Sequence, residues 1–145
     1  METIVSIKPL LAVLTTLFVI PVVVSSSDKP NVQEGWKFTV GAIKLALVLS
    51  MLPAVLSGKQ IVLTLFEVAP GAAIAFRVDG IGMTFALVAA SLYIVTSIYT
   101  IGYMRGLNEH GQTRFGSFFA LAISATIGVA FSANLLTLYL FYEVL

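Results

Sequence analysis

Apolar residues run along this chain in long, nearly uncharged stretches divided by short polar breaks. A membrane-spanning helix needs about 20 mostly apolar residues, and the first such stretch is 7–24. Pro9 is tolerated in the first turn of a helix there. The stretch closes at Ser25-Ser26-Ser27-Asp28-Lys29-Pro30. A signal peptide is the rival reading, with a base at Lys8, an apolar core and small residues after it. Glu2 and Pro9 fit such a leader poorly, and a second apolar stretch follows at once. That second span is 36–56, with Trp36 as an interfacial anchor and Pro53 placed to kink its end. Lys37 and Lys44 are seven positions apart and share a helix face. The simpler reading of Lys44 is a side chain snorkelling towards the interface that Lys37 occupies. A buried proton-relay lysine is the other.

The pattern changes between Ser57 and Asp79. Ile61–Val68 is short and β-branched, Pro70-Gly71 is a turn signal, and Ala72–Val78 is again rich in strand formers. This predicts a small β-hairpin over 61–78, outside the hydrocarbon core. Glu67, Arg77 and Asp79 would lie on its wetted surface. The third span is 80–104, rich in Gly, Ala, Ser and Thr that allow close helix approach in lipid. Asp79 stands where a carboxylate can accept backbone N–H bonds at the start of that helix. Tyr99 and Tyr103 form an i, i+4 pair near its end, as in an aromatic belt. A polar loop follows from Arg105 to Arg114, and His110 within it reads as a solvated side chain.

From Phe115 to Tyr142 there is no charged residue. One helix over that length would run about 42 Å, against a hydrocarbon core of about 30 Å. Ser132-Ala133-Asn134 is the natural break, since Asn can cap or turn. The stretch therefore divides into a fourth span, 114–131, and part of a fifth, 134–145. Arg114 should begin the fourth span at the membrane surface, orienting the helix, with a proton-inlet role as the alternative. A helix that stops in mid-membrane leaves carbonyls unsatisfied, so the chain reads as a fragment or as one half of a split protein.

Composition sharpens this into an all-α integral membrane protein with four transmembrane helices, a partial fifth and a short extramembrane β-hairpin. Hydrophobic residues make up 59% of the chain and charged residues 10%, with a mean hydropathy of +1.02. Soluble domains carry about 25% charged residues. The net charge of +1 gives no clustered basic face for nucleic acid. There is no Cys, and one His with seven scattered acids makes a metal cage unpromising. No nucleotide, hydrolase or cofactor motif is present, so no cofactor and no catalytic site are expected in this chain. Loop charges favour an outside N-terminus by a narrow margin: Lys29, Lys37, Arg105 and Arg114 against Lys8, Lys59 and Arg77.

Glu143 ends the longest uncharged run. A carboxylate within lipid costs roughly 2.5–3.5 kcal/mol on insertion scales, and an intramembrane acid is by default a candidate for ion or proton movement. If 115–142 were one tilted helix, Glu143 would instead sit at the water interface. On the residues alone both readings stand.

Four segments occur in order: Phe76-Arg-Val-Asp79-Gly, Tyr99-Thr-Ile-Gly-Tyr103-Met104, Arg114-Phe115, and Asn134-Leu-Leu-Thr-Leu-Tyr-Leu-Phe-Tyr-Glu143. Together they resemble the N-terminal part of the antiporter-like subunits of respiratory complex I, membrane-bound hydrogenases and Mrp-type cation/proton antiporters. The resemblance covers about 76–145, and Tyr142 stands where the family usually has Trp. It implies that Glu143 is the buried fifth-helix glutamate of a proton channel, that Asp79, Tyr99, Tyr103 and Asn134 are structural family positions, and that Lys44 and Arg114 are candidate supporting residues. It further implies proton movement, with or without Na⁺, in a multisubunit complex of the NADH-quinone oxidoreductase, hydrogenase or Mrp type in the inner cell membrane. Partners would be other hydrophobic subunits, the C-terminal remainder of the same subunit, and a cation for Glu143 from one of them. The rival from another class is a non-transporting assembly subunit, in which Glu143 is a structural ion-pair partner.

Overall fold

The computed structural model of the chain describes residues 2–26, 29–107 and 111–145. Its elements run β1 (Thr3–Val5), α1 (Lys8–Leu17), α2 (Val19–Ser25), α3 (Pro30–Leu56), β2 (Gln60–Ala69), β3 (Ala72–Val78), α4 (Gly80–Gly106), α5 (Gln112–Ala130) and α6 (Leu135–Val144). Four helical stretches are long and apolar enough to cross a membrane: Lys8–Ser25, Asn31–Leu56, Gly80–Gly106 and Gln112–Ala130. The shorter apolar α6 follows them. The fold is thus the expected helical membrane architecture with a small sheet at one end. The reading of His110 as a solvated loop residue falls outside the described residues.

The first apolar stretch is two helices, where one was expected. The chain turns at Phe18, whose N–H still reaches Leu14 O at 3.0 Å. Pro21, three residues on, has no N–H to offer the carbonyl four residues back, and its ring crowds that position. The break therefore falls one residue before α2 and places Thr16 at the end of α1. Both pieces stay in the bundle: α1 lies against α3 and α5, α2 against α5 and α3, and α4 is packed between α3 and α5.

The hairpin forms as expected, around the Pro70-Gly71 turn, with Gly71 at φ +81°. That positive φ is one a Pro-Gly turn requires and a side chain resists. Leu65 and Val68 drop out of the ladder as bulges, which raise the local twist near the turn. Two features go beyond the sequence reading. β1 adds a parallel strand to β2, pairing Ile4 with Ile61. Moreover, the base of the hairpin is not a free surface: Ile61, Phe76 and Val78 are buried and join Val13, Val48, Met51, Met83 and Ile127 in one core. Glu67 and Arg77 are exposed, as a wetted outer face requires, while Asp79 is half-buried.

The free edge of β3 holds the break between α5 and α6. Arg77 N–H donates to Phe131 O at 2.7 Å, and Ala133 N–H donates to Ala75 O at 3.0 Å. Asn134 then caps α6, its Oδ1 accepting from Thr137 N–H at 2.9 Å. Asn134 Nδ2 donates to Ala73 O at 2.6 Å, and the buried Thr137 Oγ1 accepts from Ala75 N–H at 3.0 Å. Phe141 completes the seat, with its ring 5.6 Å from that of Phe76 and directly over Gly128, where a Cβ would overlap the ring.

Between the helices, small residues and hydroxyls do the joining, as expected where lipid offers no apolar driving force. Ser124 Oγ donates to Val13 O at 2.6 Å, tying α5 to α1. The outward face of α4 carries Ile81, Phe85, Val88, Leu92 and Val95, all exposed, at the three- and four-residue spacing of one helix face.

Removing the seat of α6 should be measurable. Asn134→Ala loses the cap and the bond to Ala73, and should lower stability by about 1–2 kcal/mol. Asn134→Asp keeps the cap and should lose less. Gly128→Ala forces a methyl group into Phe141 and should cost about 1–3 kcal/mol. Lower thermal midpoints in detergent, in that order for the two Asn134 variants, would check these figures.

Candidate functional site

Charge enters the bundle at two places, on α6 and on α3. On α6, Thr137 and Phe141 are four apart and face the bundle. Glu143 lies two positions beyond Phe141, about 200° around the helix, and is exposed. It shares the outer side of α6 with the exposed Tyr139 and Tyr142. The carboxylate is therefore exposed within this chain, on the side of α6 that faces away from α5 and β3. Among the described residues no salt bridge joins it to a cation. Counting nine residues from Asn134 at the sheet end puts it about 13 Å along the helix.

On α3, Glu34, Lys37, Gly41 and Lys44 recur at three- and four-residue steps, along one face. Lys44 is 0% exposed, and its Nζ donates to the equally buried Thr16 Oγ1 at 2.6 Å. This overturns the reading of Lys44 as a snorkelling side chain. Its head points across to the end of α1, next to the break at Phe18, and Lys44 lies near the middle of its helix. One turn back, Gly41 admits the Tyr93 ring, and a Cβ there would approach Tyr93 Cδ1 to 2.8 Å. Another turn back, Lys37 rests on Gly116 of α5, where a Cβ would lie 2.5 Å from Lys37 Nζ.

A cavity of about 30 Å³ opens beside this face, room for roughly two waters. Its lining includes Glu34, Lys37, Tyr93, Ser97, Thr100 and Gln112. Tyr93 and Phe119, stacked 5.3 Å apart, are its deepest residues counted from the Arg105 end. At the rim Arg105 holds Glu34 through two nitrogens, Nε at 3.0 Å from Oε1 and Nη2 on Oε2, and Nη2 also donates to Asn31 Oδ1. Gln33 Nε2 donates to Ser26 O and Thr113 Oγ1 at 3.0 and 2.9 Å, joining α3 to the start of α5.

The remaining sequence-selected residues take separate places. Asp79 caps α4, its Oδ1 accepting from Gly82 N–H at 2.8 Å. Arg114 is exposed in the first turn of α5. Tyr99 and Tyr103 are exposed and stacked at 5.8 Å. The structure brings Lys44 and Glu143 to no common site: α6 is packed against α5 and β3, and Lys44 faces α1. Sequence reasoning missed Thr16, Tyr93 and Gly116 as members of the α3 site. The shared face of Lys37 and Lys44 was read, but not that Glu34 and Gly41 extend it at three- and four-residue steps, which was the signal available there.

No family model matches the chain. It is 25% identical over 140 residues to a Na(+)/H(+) antiporter subunit A1 of Staphylococcus aureus, covering 95% of this chain and 17% of that relative. It is 31% identical over 70 residues to the chloroplastic NAD(P)H-quinone oxidoreductase subunit 5 of Adiantum capillus-veneris, covering 48% and 9%. It is 29% identical over 68 residues to NAD(P)H-quinone oxidoreductase chain 5 of a Picosynechococcus species, covering 47% and 10%. The chain thus spans less than a fifth of the length of these curated relatives. They match the antiporter-like family that the motifs resembled.

The cap at Asp79 makes a testable distinction between structure and transport. Asp79→Asn keeps an acceptor for Gly82 N–H and should change stability by no more than about 0.5 kcal/mol, whereas Asp79→Ala should cost about 1 kcal/mol or more. Assembled Asp79→Asn protein should also keep transport near normal. A complete loss of transport in that variant would assign Asp79 to the transport path.

Proposed function

We propose, from homologues that are antiporter-like membrane subunits of the Mrp and NAD(P)H-quinone oxidoreductase types, that this chain forms part of a proton-translocating subunit in a multisubunit membrane complex. Glu143 is the proton carrier of this reading. The observation that carries it is the placement of that acid: an uncharged run ends in a single carboxylate, on a helix whose start is fixed by β3 and whose opposite face is filled by Thr137 and Phe141. Glu143 is thereby turned away from this bundle, towards whatever is packed beyond α6.

A carboxyl group sealed from water holds its proton, and a cation brought close releases it. An acid that cycles protons in lipid therefore needs a movable positive partner. Lys44 faces Thr16 on another side of the bundle and does not supply one. The partner is accordingly assigned to further segments of the same subunit or to a neighbouring subunit. Na⁺ as a second ion, the inner cell membrane as the location, and the other hydrophobic subunits as partners belong to the same proposal. Arg114, exposed at the start of α5, orients that helix in it, and Tyr99 and Tyr103 lie at the membrane surface as an aromatic pair.

Because Glu143 is exposed in this chain, an assembly role in which it forms a structural ion pair with a neighbour has support of its own. One variant separates the two. In the complete complex, Glu143→Gln should assemble normally and slow proton uptake by membrane vesicles at least tenfold, while Glu143→Asp should retain part of the rate. Failed assembly of Glu143→Gln would favour the structural role, and pumping at the normal rate would remove Glu143 from the path.

A further inference from the structure

The polar face of α3 is unconnected with Glu143, and α6 does not use it. We infer that α3, α4 and α5 enclose a water-filled inlet for protons, opening at the Glu34–Arg105 end and closed inside by Tyr93, with Lys44 and Thr16 as a buried proton-exchanging site beyond the closure.

Three observations on different helices converge on this. The cavity beside Lys37 has an apolar wall that includes Ile101, Met104, Phe115 and Phe119, but Ser97 and Thr100 from α4, Gln112 from α5 and Glu34 and Lys37 from α3 also line it. An apolar void of that size would stay dry, but one with several polar partners holds water. Gly116 and Gly41 keep the face open, the first for the Lys37 head and the second for the Tyr93 ring. Beyond Tyr93, Lys44 is fully buried with Thr16 as its hydrogen-bond partner, beside the break between α1 and α2.

The other titratable groups on the elements around Lys44 lie away from it. Lys8 of α1 is at the sheet end, where its Nζ reaches Ser50 O at 3.4 Å. Glu34, Lys37 and Arg105 are at the opposite rim, Tyr93 stands between, and Glu67 of β2 is on the exposed outer part of the hairpin. α2 carries none. Among the described residues no carboxylate forms an ion pair with Lys44. A lysine without an acid, reached from a wet cavity, can give up and regain a proton without breaking a salt bridge. Protons would enter as water-borne charge at the rim, pass Lys37, and reach the Lys44 amine when the Tyr93 ring swings off Gly41.

The inlet stands on geometry alone, whereas the role of Lys44 rests on the reading of the chain as proton-conducting. Two measurements keep them apart. The chain has no cysteine, so single cysteines can be placed in the assembled, otherwise cysteine-free complex and exposed to a membrane-impermeant thiosulfonate. Ser97→Cys and Thr100→Cys should react at least tenfold faster than Val95→Cys on the outward face of α4, and from the Arg105 side only. Equal rates at the three positions would overturn the inlet. Lys44→Met should assemble and slow proton movement at least tenfold. Assembly with a rate within twofold of normal would overturn the role of Lys44. Should Lys44→Met fail to assemble, Lys44→Arg carries the same two outcomes, since arginine keeps the charge but does not release its proton. A normal rate in Glu143→Gln would count against the Glu143 reading and would leave the labelling result untouched.

Discussion

Everything on the Glu143 side of this molecule depends on where the backbone of the α5–α6 break finds its hydrogen bonds. A buried peptide group left unpaired costs about 1–3 kcal/mol. Where α5 stops at Phe131 and α6 starts at Leu135, the edge of β3 takes up peptide groups between them. The small sheet is in this sense a structural tool of the helices. β1 and β2 are paired on one side of the sheet, and the remaining edge serves the break. The Asn134 and Thr137 side chains extend that edge into the first turn of α6. The direction of α6, and hence the face on which Glu143 stands, follows from this strand-to-loop pairing.

The interruption at Phe18 is slighter: the residue stays in the right-handed helical region at φ −66° and ψ −20°, and its N–H keeps its bond to Leu14 O. Near it the Lys44 head meets the Thr16 hydroxyl. Lys44 adds little to the stability of the fold. A lysine at mid-membrane costs roughly 2.5–3.5 kcal/mol on insertion scales. A hydrogen bond involving a charged group contributes about 1.5–3 kcal/mol, and the bond to the neutral Thr16 hydroxyl at best offsets that cost. Methionine would fill the same space without it. A residue that gains so little from its packing is more readily understood through its chemistry.

Much of this was legible in the chain. The spans could be read from apolar run length, the hairpin from Pro70-Gly71 between β-branched stretches, and the α5–α6 break from the excess length of Phe115–Tyr142. These are local signals, or simple arithmetic on length. What was not legible depended on pairing across the sequence. β1 is three residues long, too short to show a period, and exists because β2 offers an edge. Lys44 was misread because snorkelling and burial look alike in one dimension; only the position of Thr16, 28 residues earlier, decides between them. The exposure of Glu143 follows from the Phe141–Gly128 contact, which sets the rotation of α6 and is invisible in the apolar pattern of that helix.

The two ends of the bundle are built to different standards of rigidity. At the sheet end, backbone pairs and a continuous core of Phe76, Val78, Met83, Ile127 and Phe131 leave little freedom. At the other end the ties are side chains: Arg105 to Glu34 and Asn31, Gln33 to Ser26 and Thr113. The Arg105 pair at the rim contributes about 1 kcal/mol or less and the buried Gln33 adds two hydrogen bonds, so this end has fewer fixed ties than the sheet end. Lys44 and Glu143 stand at comparable depths from the fixed end, about 18 Å and 13 Å by helix rise, yet on different sides of the bundle. A change at the loose rim that moves α3 against α4 would alter the surroundings of Lys44 through Gly41 and Tyr93. It would leave Glu143 in place, because α6 is anchored to β3 and α5. The fold thus separates a compliant polar face from a rigidly mounted acid, and α5 gives a direct route between them, since it touches both Lys37, at Gly116, and Phe141, at Gly128.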